Sequence, residues 1–448
     1  MASNDQRYFP MNLRLPMYLD QFIKDFAFHD ITNDLSKADM IFTDTEMKRI
    51  LDIEDSEQQV IQMFFFLYEK NEELVWRFIG ILEKCYHWLM VTNYSMNQIN
   101  DEERLYKFAY DRLGKVEPKH QDINVHRLKY FSELRTSLIN LQPHHYVILF
   151  GNLGCGKKWL AIDVCKDYAV LKSTNFSIHW LDMSDCISEE KDLEKLKKFA
   201  NTVFPSIDTT QSKDVIVKDI REAIKSKDKE CLLVLTEVQN KHVIKLFDFD
   251  TKVLITTRNK NIRDYYSKYF SKVLTVEDSF TFPEGAEFLQ KIGGNNTDSV
   301  RTSNILEETK SHPFLLATLA RNLVGKPPNV WEEAISDTKT NSMMLTKIHN
   351  SLNVFNDEEK FVFDHFVIFQ HSVEIPVLVI SKFCEKPLRD METILRKFEK
   401  FSVVKLAYLD DKTMVCSQKY IYQQYLRNNA SLNVSISDAH RRLVNIYE

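Results

Sequence analysis

HYVILFGNLGCGKKWLAIDVCKDYAVLK, residues 145–172, decides how this chain is read. Its first six residues form a short apolar, β-branched run of the length that suits one buried strand. Its last fourteen place apolar residues at helical spacing. Between them stands GNLGCGKK, a G-x-x-x-x-G-K loop set between strand and helix. The chain holds only 9 glycines in 448 residues, and three of them, Gly151, Gly154 and Gly156, fall in this loop. Glycines let successive backbone amides turn inward around phosphate oxygens, and the helix N-terminus adds positive potential. Lys157 then reaches the terminal phosphates. The loop reads as a phosphate site.

Two positions depart from the pattern. A Ser or Thr should follow Lys157, because its hydroxyl holds magnesium; here it is Lys158, and an ammonium cannot ligate a cation. The later run CLLVLT (231–236) should end in an acid that holds the metal through water, but it ends in Thr236, with Glu237 next. Both changes spare phosphate binding and remove the means of cutting it. The expectation is a nucleotide-binding switch with weak or absent hydrolysis, Mg2+ doubtful and no metal site. Glu237 is left as a weak candidate for orienting a water, against the plainer reading of a strand cap. Arg258, after KVLITT (252–257), stands at the C-terminal end of a strand, where open α/β sheets bind ligands, and reads as a sensor of the terminal phosphate.

Outward from the loop, residues 145–150, 177–183, 231–236, 252–257 and 272–276 are short apolar runs separated by amphipathic stretches. That alternation predicts a parallel sheet with crossover helices. Residues 15–113 read as helix throughout, with Thr43/Glu46 and Ser56/Gln59 as capping boxes. Residues 281–345 and 352–400 are again helical, with a helix stop expected at Gly325 before Pro327 and Pro328. FSVVKLAYL, Asp410-Asp411 and KTMVCSQ then read as a hairpin, and helices with a late hairpin suggest a winged helix.

Charge and composition narrow the function classes. Apolar residues make up 44% and charged residues 27%, enough to bury real cores. Net charge is −5, which argues against general nucleic-acid binding. Eleven acids lie between Asp20 and Glu57, against four bases, which points to a basic protein partner, or merely to a solvated face. The 7 cysteines are scattered without a C-x-x-C, as in a chain with reduced thiols, and no signal peptide or membrane-spanning run is visible.

Taken in order, these pieces resemble the nucleotide-binding adaptor ATPases (NB-ARC, or AP-ATPase) of the apoptotic protease-activating factor family, the Dark-type invertebrate adaptors in particular. GNLGCGKK looks like the family loop, CLLVLTEVQN like its degenerate second strand, and KVLITTRNKNIRD like its sensor strand. KSHPFLLATLARNL stands where the family has G-L-P-L, with Ser311 and His312 in the first two places. The resemblance implies that Pro313 packs on the base and that Val125 and Arg127, in NVHRLKYFSELRTSL, contact adenine. It implies a nucleotide site made of Val125, Arg127, Gly151, Gly154, Cys155, Gly156, Lys157, Lys158, Trp159, Arg258 and Pro313. The family's His-Asp pair, whose histidine touches the β-phosphate of bound ADP, is replaced by Lys419 and Tyr420 in CSQKYIYQQYL, which puts an ADP-locked resting state in question. Residues 41–82 look like a caspase-recruitment domain (CARD).

The resemblance implies a multi-domain α and α/β protein: a death-fold helical CARD at 1–115, a P-loop nucleotide-binding domain at 116–280, a helical domain at 281–346 and a winged-helix domain at 347–437. Residues 438–448 would begin a further helical domain, so the chain reads as a short form or a fragment without the propeller region. The function implied is an ATP- or dATP-binding apoptosome adaptor, cytoplasmic, that assembles into a ring and recruits an initiator caspase through its CARD. No membrane or nucleic acid is expected among its partners. Two rivals stand beside it. One is an active P-loop ATPase of AAA or origin-binding type with a DNA-reading winged helix. The other is a scaffold that binds no nucleotide.

Overall fold

The computed structural model of the chain describes residues 15–26, 28, 31–32, 35, 41–85, 101–116, 125–186, 188–266, 271–293, 299–317, 348, 352–369, 373–401, 403–409 and 413–429. The N-terminal part holds helices α1 (Leu19–Asp25), α2 (Asp44–Leu51), α3 (Ser56–Tyr68), α4 (Glu72–Cys85) and α5 (Asp101–Gly114). At the start of α2 the capping box forms as read: the Thr43 hydroxyl accepts from the Glu46 amide, and the Glu46 carboxylate accepts from the Thr43 amide. At α3 it does not. The cap is Asp55, whose carboxylate accepts from the Gln58 amide, while the Gln59 side chain donates to the Ile53 carbonyl. A carboxylate one residue upstream is as good an N-cap as the serine hydroxyl, and it won the position.

From Val60 to Leu67, α3 is buried on every side. A helix apolar all round has to be covered all round. Phe64 meets Phe22 of α1 edge-on at 5.2 Å, and Phe65 meets Phe131 edge-on at 4.7 Å. Phe131 lies on α6 (Leu128–Ile139), the helix that leads into the sheet. One hydrophobic core therefore runs without a break from Leu15 through α3 and α6 to Val147 and Leu149.

Strands β1 (Tyr146–Phe150), β2 (Ile178–Asp182), β3 (Leu232–Thr236), β4 (Lys252–Thr257) and β5 (Ser271–Thr275) form one sheet in the order β2-β3-β4-β1-β5. All four pairings are parallel. These are the five runs read as strands, each end within a residue. The three central strands β1, β3 and β4 are buried at every position because both faces are covered, whereas the edge strands β2 and β5 keep half-buried or exposed positions. Val147, Leu149, Leu232, Val234 and Leu254 face the core shared with α6, α7 (Lys157–Lys166) and α8 (Tyr168–Ser173). Tyr146, Ile148, Leu233, Leu235, Val253 and Ile255 face the opposite core, closed by α9 (Glu189–Val203), α10 (Lys213–Lys227) and α11 (Lys241–Leu246). Helix α12 (Lys260–Tyr266) follows β4.

Beyond the sheet, α13 (Phe282–Gly293) and α14 (Ser299–Glu308) agree with the helical reading, while Gly325 and its two prolines lie outside the described residues. Next come α15 (Asp357–His365), β6 (Ile375–Pro376), α16 (Val377–Phe383), α17 (Leu388–Lys400), β7 (Val404–Tyr408), β8 (Met414–Gln418) and α18 (Tyr420–Asn429). The hairpin is present as β7 paired antiparallel with β8, in register Val404 with Gln418. The stretch read as all helix also contributes β6, which adds to the far edge of β8. These elements enclose their own core around Phe363, Phe398 and Tyr422.

Candidate nucleotide-binding site

The loop between β1 and α7 sits at the C-terminal ends of the parallel strands, with β4 and β5 on either side of β1. Gly154 has φ +76° and Gly156 φ +93°, backbone that L residues rarely adopt, so the glycine spacing is a requirement of this turn. Lys157 is 3% exposed, and its ammonium donates to the Gly151 carbonyl at 3.0 Å and the Asn152 carbonyl at 2.8 Å. Three N–H donors on this group can exchange those carbonyls for phosphate oxygens at the same place. The Cys155 thiol is fully buried, which pushes its pKa up, with Lys157 opposing; it is packing material here.

Arg127 is buried and fastens the loop from behind. Its guanidinium donates to the carbonyls of Cys155 (3.1 Å), Glu277 (3.1 Å) and Ser279 (2.8 Å), and lies 4.6 Å from the centre of the Tyr130 ring. The structure thus shows it holding the loop to the segment after β5. Val125 packs with Phe288, Leu306 and Leu316 beside that segment. Pro313 is buried in the first turn of the short helical segment 313–317, and Trp159 is half-buried on the first turn of α7.

The positions that would handle a magnesium ion do not fit one. Lys158, where a hydroxyl is needed, points to Asp182 at the end of β2, 3.5 Å away. Thr236 is fully buried, its hydroxyl donating to the Leu181 carbonyl at 3.4 Å. Glu237 has φ +57°, an uncommon left-handed backbone for this residue type, and its amide donates to the Thr256 hydroxyl at 3.0 Å. Among the described residues, a His179, Asp228 and Cys231 grouping has ligand-type atoms within 4.8 Å of one another, at the opposite end of β2 and β3. There His179 Nε2 is 3.0 Å from Asp228 Oδ2, in an ordinary histidine–carboxylate pair.

The C-terminal unit reaches this end of the sheet by several contacts. Arg258 is 2% exposed; its guanidinium donates to the Tyr422 hydroxyl at 3.2 Å and lies 6.0 Å from the Phe401 ring centre. Lys260 pairs with Glu399 at 2.8 Å, and Lys419 with Asp278 at 3.4 Å. Asp278 also accepts from the Asn152 side chain in the loop. Leu153 of the loop itself packs onto the core of residues 348–426. The structure therefore gathers Gly151, Gly154, Cys155, Gly156, Lys157 and Arg127 about one turn. It turns Lys158 to the sheet edge and Arg258 to the C-terminal unit. Asp278 and Tyr422 carry no motif, and only the fold brings them here.

The fold and the loop together define a P-loop nucleotide-binding protein with a helical bundle built onto it. Residues 129–299 match the NB-ARC domain, and residues 14–93 match the CARD domain of Dark. Apoptotic protease-activating factor 1 of Homo sapiens is 22% identical over 357 residues, covering 74% of this chain and 28% of that protein. The Rattus norvegicus protein of that name is 24% identical over 307 residues, covering 63% of this chain and 24% of that protein. A solved Walker-type ATPase of Pyrococcus abyssi superposes with a TM-score of 0.50 at 15% identity, covering 70% of this chain and 99% of that one, a likeness of fold. The chain is thus similar to an Apaf-1-like adaptor, with a stretch matching the CARD domain of Dark ahead of one matching the NB-ARC domain. It spans about a quarter of the length of the curated relatives it matches. Among the described residues, no helix is long and apolar enough to cross a membrane.

Proposed function

We propose that this chain is the nucleotide-gated core of an apoptosome-type adaptor, binding ATP or dATP at Gly151–Lys158 and recruiting an initiator caspase through its N-terminal bundle. ADP would occupy the same loop in a resting form. In this reading 1–115 is the recruitment domain, 116–280 the nucleotide-binding domain, 281–346 a helical domain and 347–437 a winged helix, while 438–448 lie outside the described residues. Self-association into a ring would concentrate recruited caspases in the cytoplasm without chemistry of the adaptor's own.

One observation carries the proposal: the phosphate loop is gripped from two sides. Helix α7, which begins at Lys157, packs against α5 and α6 on the N-terminal side, and Leu153 packs into the C-terminal unit. A nucleotide that reshapes the loop therefore has differential contacts with both neighbours, which is what shifting a conformational equilibrium requires. The misfit at the magnesium positions supports binding over turnover. Several acids of the N-terminal patch, Asp44, Asp52, Glu54, Asp55 and Glu57, are exposed around the α2–α3 turn, whereas Asp20 is spent on Arg135 and Glu46 on Lys70. Opposite-charge docking would use these acids, Asp55 less than the rest because it also caps α3.

A fluorescence titration in EDTA, followed by a phosphate-release assay with Mg2+ added, tests the nucleotide half. Tight binding without turnover supports the switch; sustained turnover would establish the ATPase rival. Reversing four of the exposed acids to lysine, leaving the α3 cap Asp55 in place, tests the recruitment half: capture of a caspase prodomain is lost while the helical circular dichroism is kept. Unchanged capture refutes that half.

A further inference from the structure

His312 sits against the phosphate loop, where the Leu153 backbone is a polar neighbour. It is 5% exposed, yet neither ring nitrogen has a hydrogen-bond partner of acceptable geometry. A buried imidazole with both nitrogens unsatisfied costs stability, and such groups are rare without a use. Its place is specific. The ring carbon Cε1 lies 2.8 Å from where a Cβ on Gly154 would stand, so the imidazole lies directly on the loop. The chain is held there by a tight turn: Lys310 and Ser311 have φ +51° and +52°, the His312 amide donates to Thr309, and the Phe280 amide donates to the Ser311 carbonyl.

Charge around the ring comes from three elements. Lys157 belongs to the loop, Arg127 precedes α6, and Asp278, paired with Lys419 of the C-terminal unit, follows β5. Burial dominates and pushes the imidazole down to about 4; Asp278 and the nearby Leu153 backbone pull the other way, and the two cations add to the push. In this structure the ring is therefore neutral at physiological pH, with the Leu153 carbonyl as a poorly aligned partner for one nitrogen and the other nitrogen's lone pair open.

Resting on the nucleotide-binding reading above, we propose that His312 is a nucleotide-contacting residue whose ring donates a hydrogen bond to the phosphate chain and takes up a proton from solvent as it does so. Phosphate oxygens would give the ring a well-aligned acceptor, which it does not have in this structure. Their negative charge favours imidazolium, opposing the burial that keeps the ring neutral. Uptake of a proton on binding makes affinity rise as pH falls through the pKa of the bound form. The chain would then carry its own histidine at the phosphates, supplied from the turn before Pro313.

The test compares the wild-type chain with His312→Leu and His312→Gln, using fluorescently labelled ADP and ATP from pH 8 to pH 6, with melting curves of each. The expected result is a loss of affinity of tenfold or more in both variants. Wild-type affinity should also improve several-fold, relative to either variant, on going from pH 8 to pH 6. Titration of the nucleotide's own phosphate is common to all three and drops out of the comparison. His312→Leu should melt no lower than wild type, because an apolar side chain replaces an unsatisfied polar one. Equal affinities with parallel pH profiles overturn the proposal. If the wild type fails to bind either nucleotide, the site reading itself falls. If His312→Leu alone unfolds, the pH comparison of His312→Gln with wild type still decides.

Discussion

Gly154 and Gly156 stand two residues apart in one loop, both at positive φ, and the structure predicts different costs for changing them to alanine. At Gly156 an added Cβ meets nothing within 4 Å, so the cost is backbone strain alone. A left-handed L residue costs roughly 1–2 kcal/mol. At Gly154 the same strain applies, but the Cβ would stand 2.6 Å from Phe314 Cβ and 2.8 Å from His312 Cε1. Phe314 Cβ is tied to its backbone and cannot swing aside, so overpacking adds roughly 1–3 kcal/mol. The totals are about 1–2 kcal/mol for Gly156→Ala and about 2–5 kcal/mol for Gly154→Ala. For a domain of this size each kcal/mol lowers Tm by roughly 2–4 °C. Differential scanning calorimetry of the two variants in parallel should place Gly154→Ala below Gly156→Ala by roughly 2–12 °C. If Gly156→Ala melts at or below Gly154→Ala, the packing of the 312–314 turn onto the loop is wrong.

Three further outcomes follow from other contacts. Thr43→Ala removes one arm of a complete capping box and should cost about 1 kcal/mol in denaturant unfolding, whereas Ser56→Ala should cost far less because Asp55 holds that cap. Ser311→Gly relieves a left-handed backbone at φ +52° and should stabilise the chain by roughly 0.5–1 kcal/mol, read as a higher midpoint in guanidinium. His312, lowered from 6.5 to about 4 in the folded chain, binds its proton more readily when unfolded. Its contribution is therefore complete above about pH 6.5 and is lost as pH falls toward 4, an effect of about 3 kcal/mol that His312→Leu should abolish in urea titrations across that range.

The parts that could be read from the chain are those where one local stretch does the whole job. The loop GNLGCGKK, the strand before it and the helix after it are contiguous, so motif, context and chemistry arrive together. The central strands β1, β3 and β4 were legible because burial on both faces leaves nearly uninterrupted apolar runs, and the edge strands β2 and β5 because short apolar cores remain in them. Asp55 was missed because Ser56 and Asp55 satisfy the same rule, and only geometry chooses between them. The continuity of the N-terminal bundle with the sheet rests on Phe65, Phe131 and His126, whose ring stacks on Phe65 at 3.9 Å. Residues this far apart in sequence carry no local sign of the contact. Lys158 could be seen to be unfit for magnesium, but its pairing with Asp182 depends on where the end of β2 falls. Asp278 and His312 acquire meaning only when the segment after β5 and the 309–312 turn close over the loop.

The central claim, that the loop grips a nucleotide through Lys157, is tested most directly by mass spectrometry of the small molecules released from freshly purified, denatured protein, wild type beside Lys157→Ala. Near-stoichiometric ATP, dATP or ADP in the wild type, reduced at least tenfold in Lys157→Ala, is the predicted result. No nucleotide in either sample, with none retained after incubation with ATP in EDTA, would contradict it.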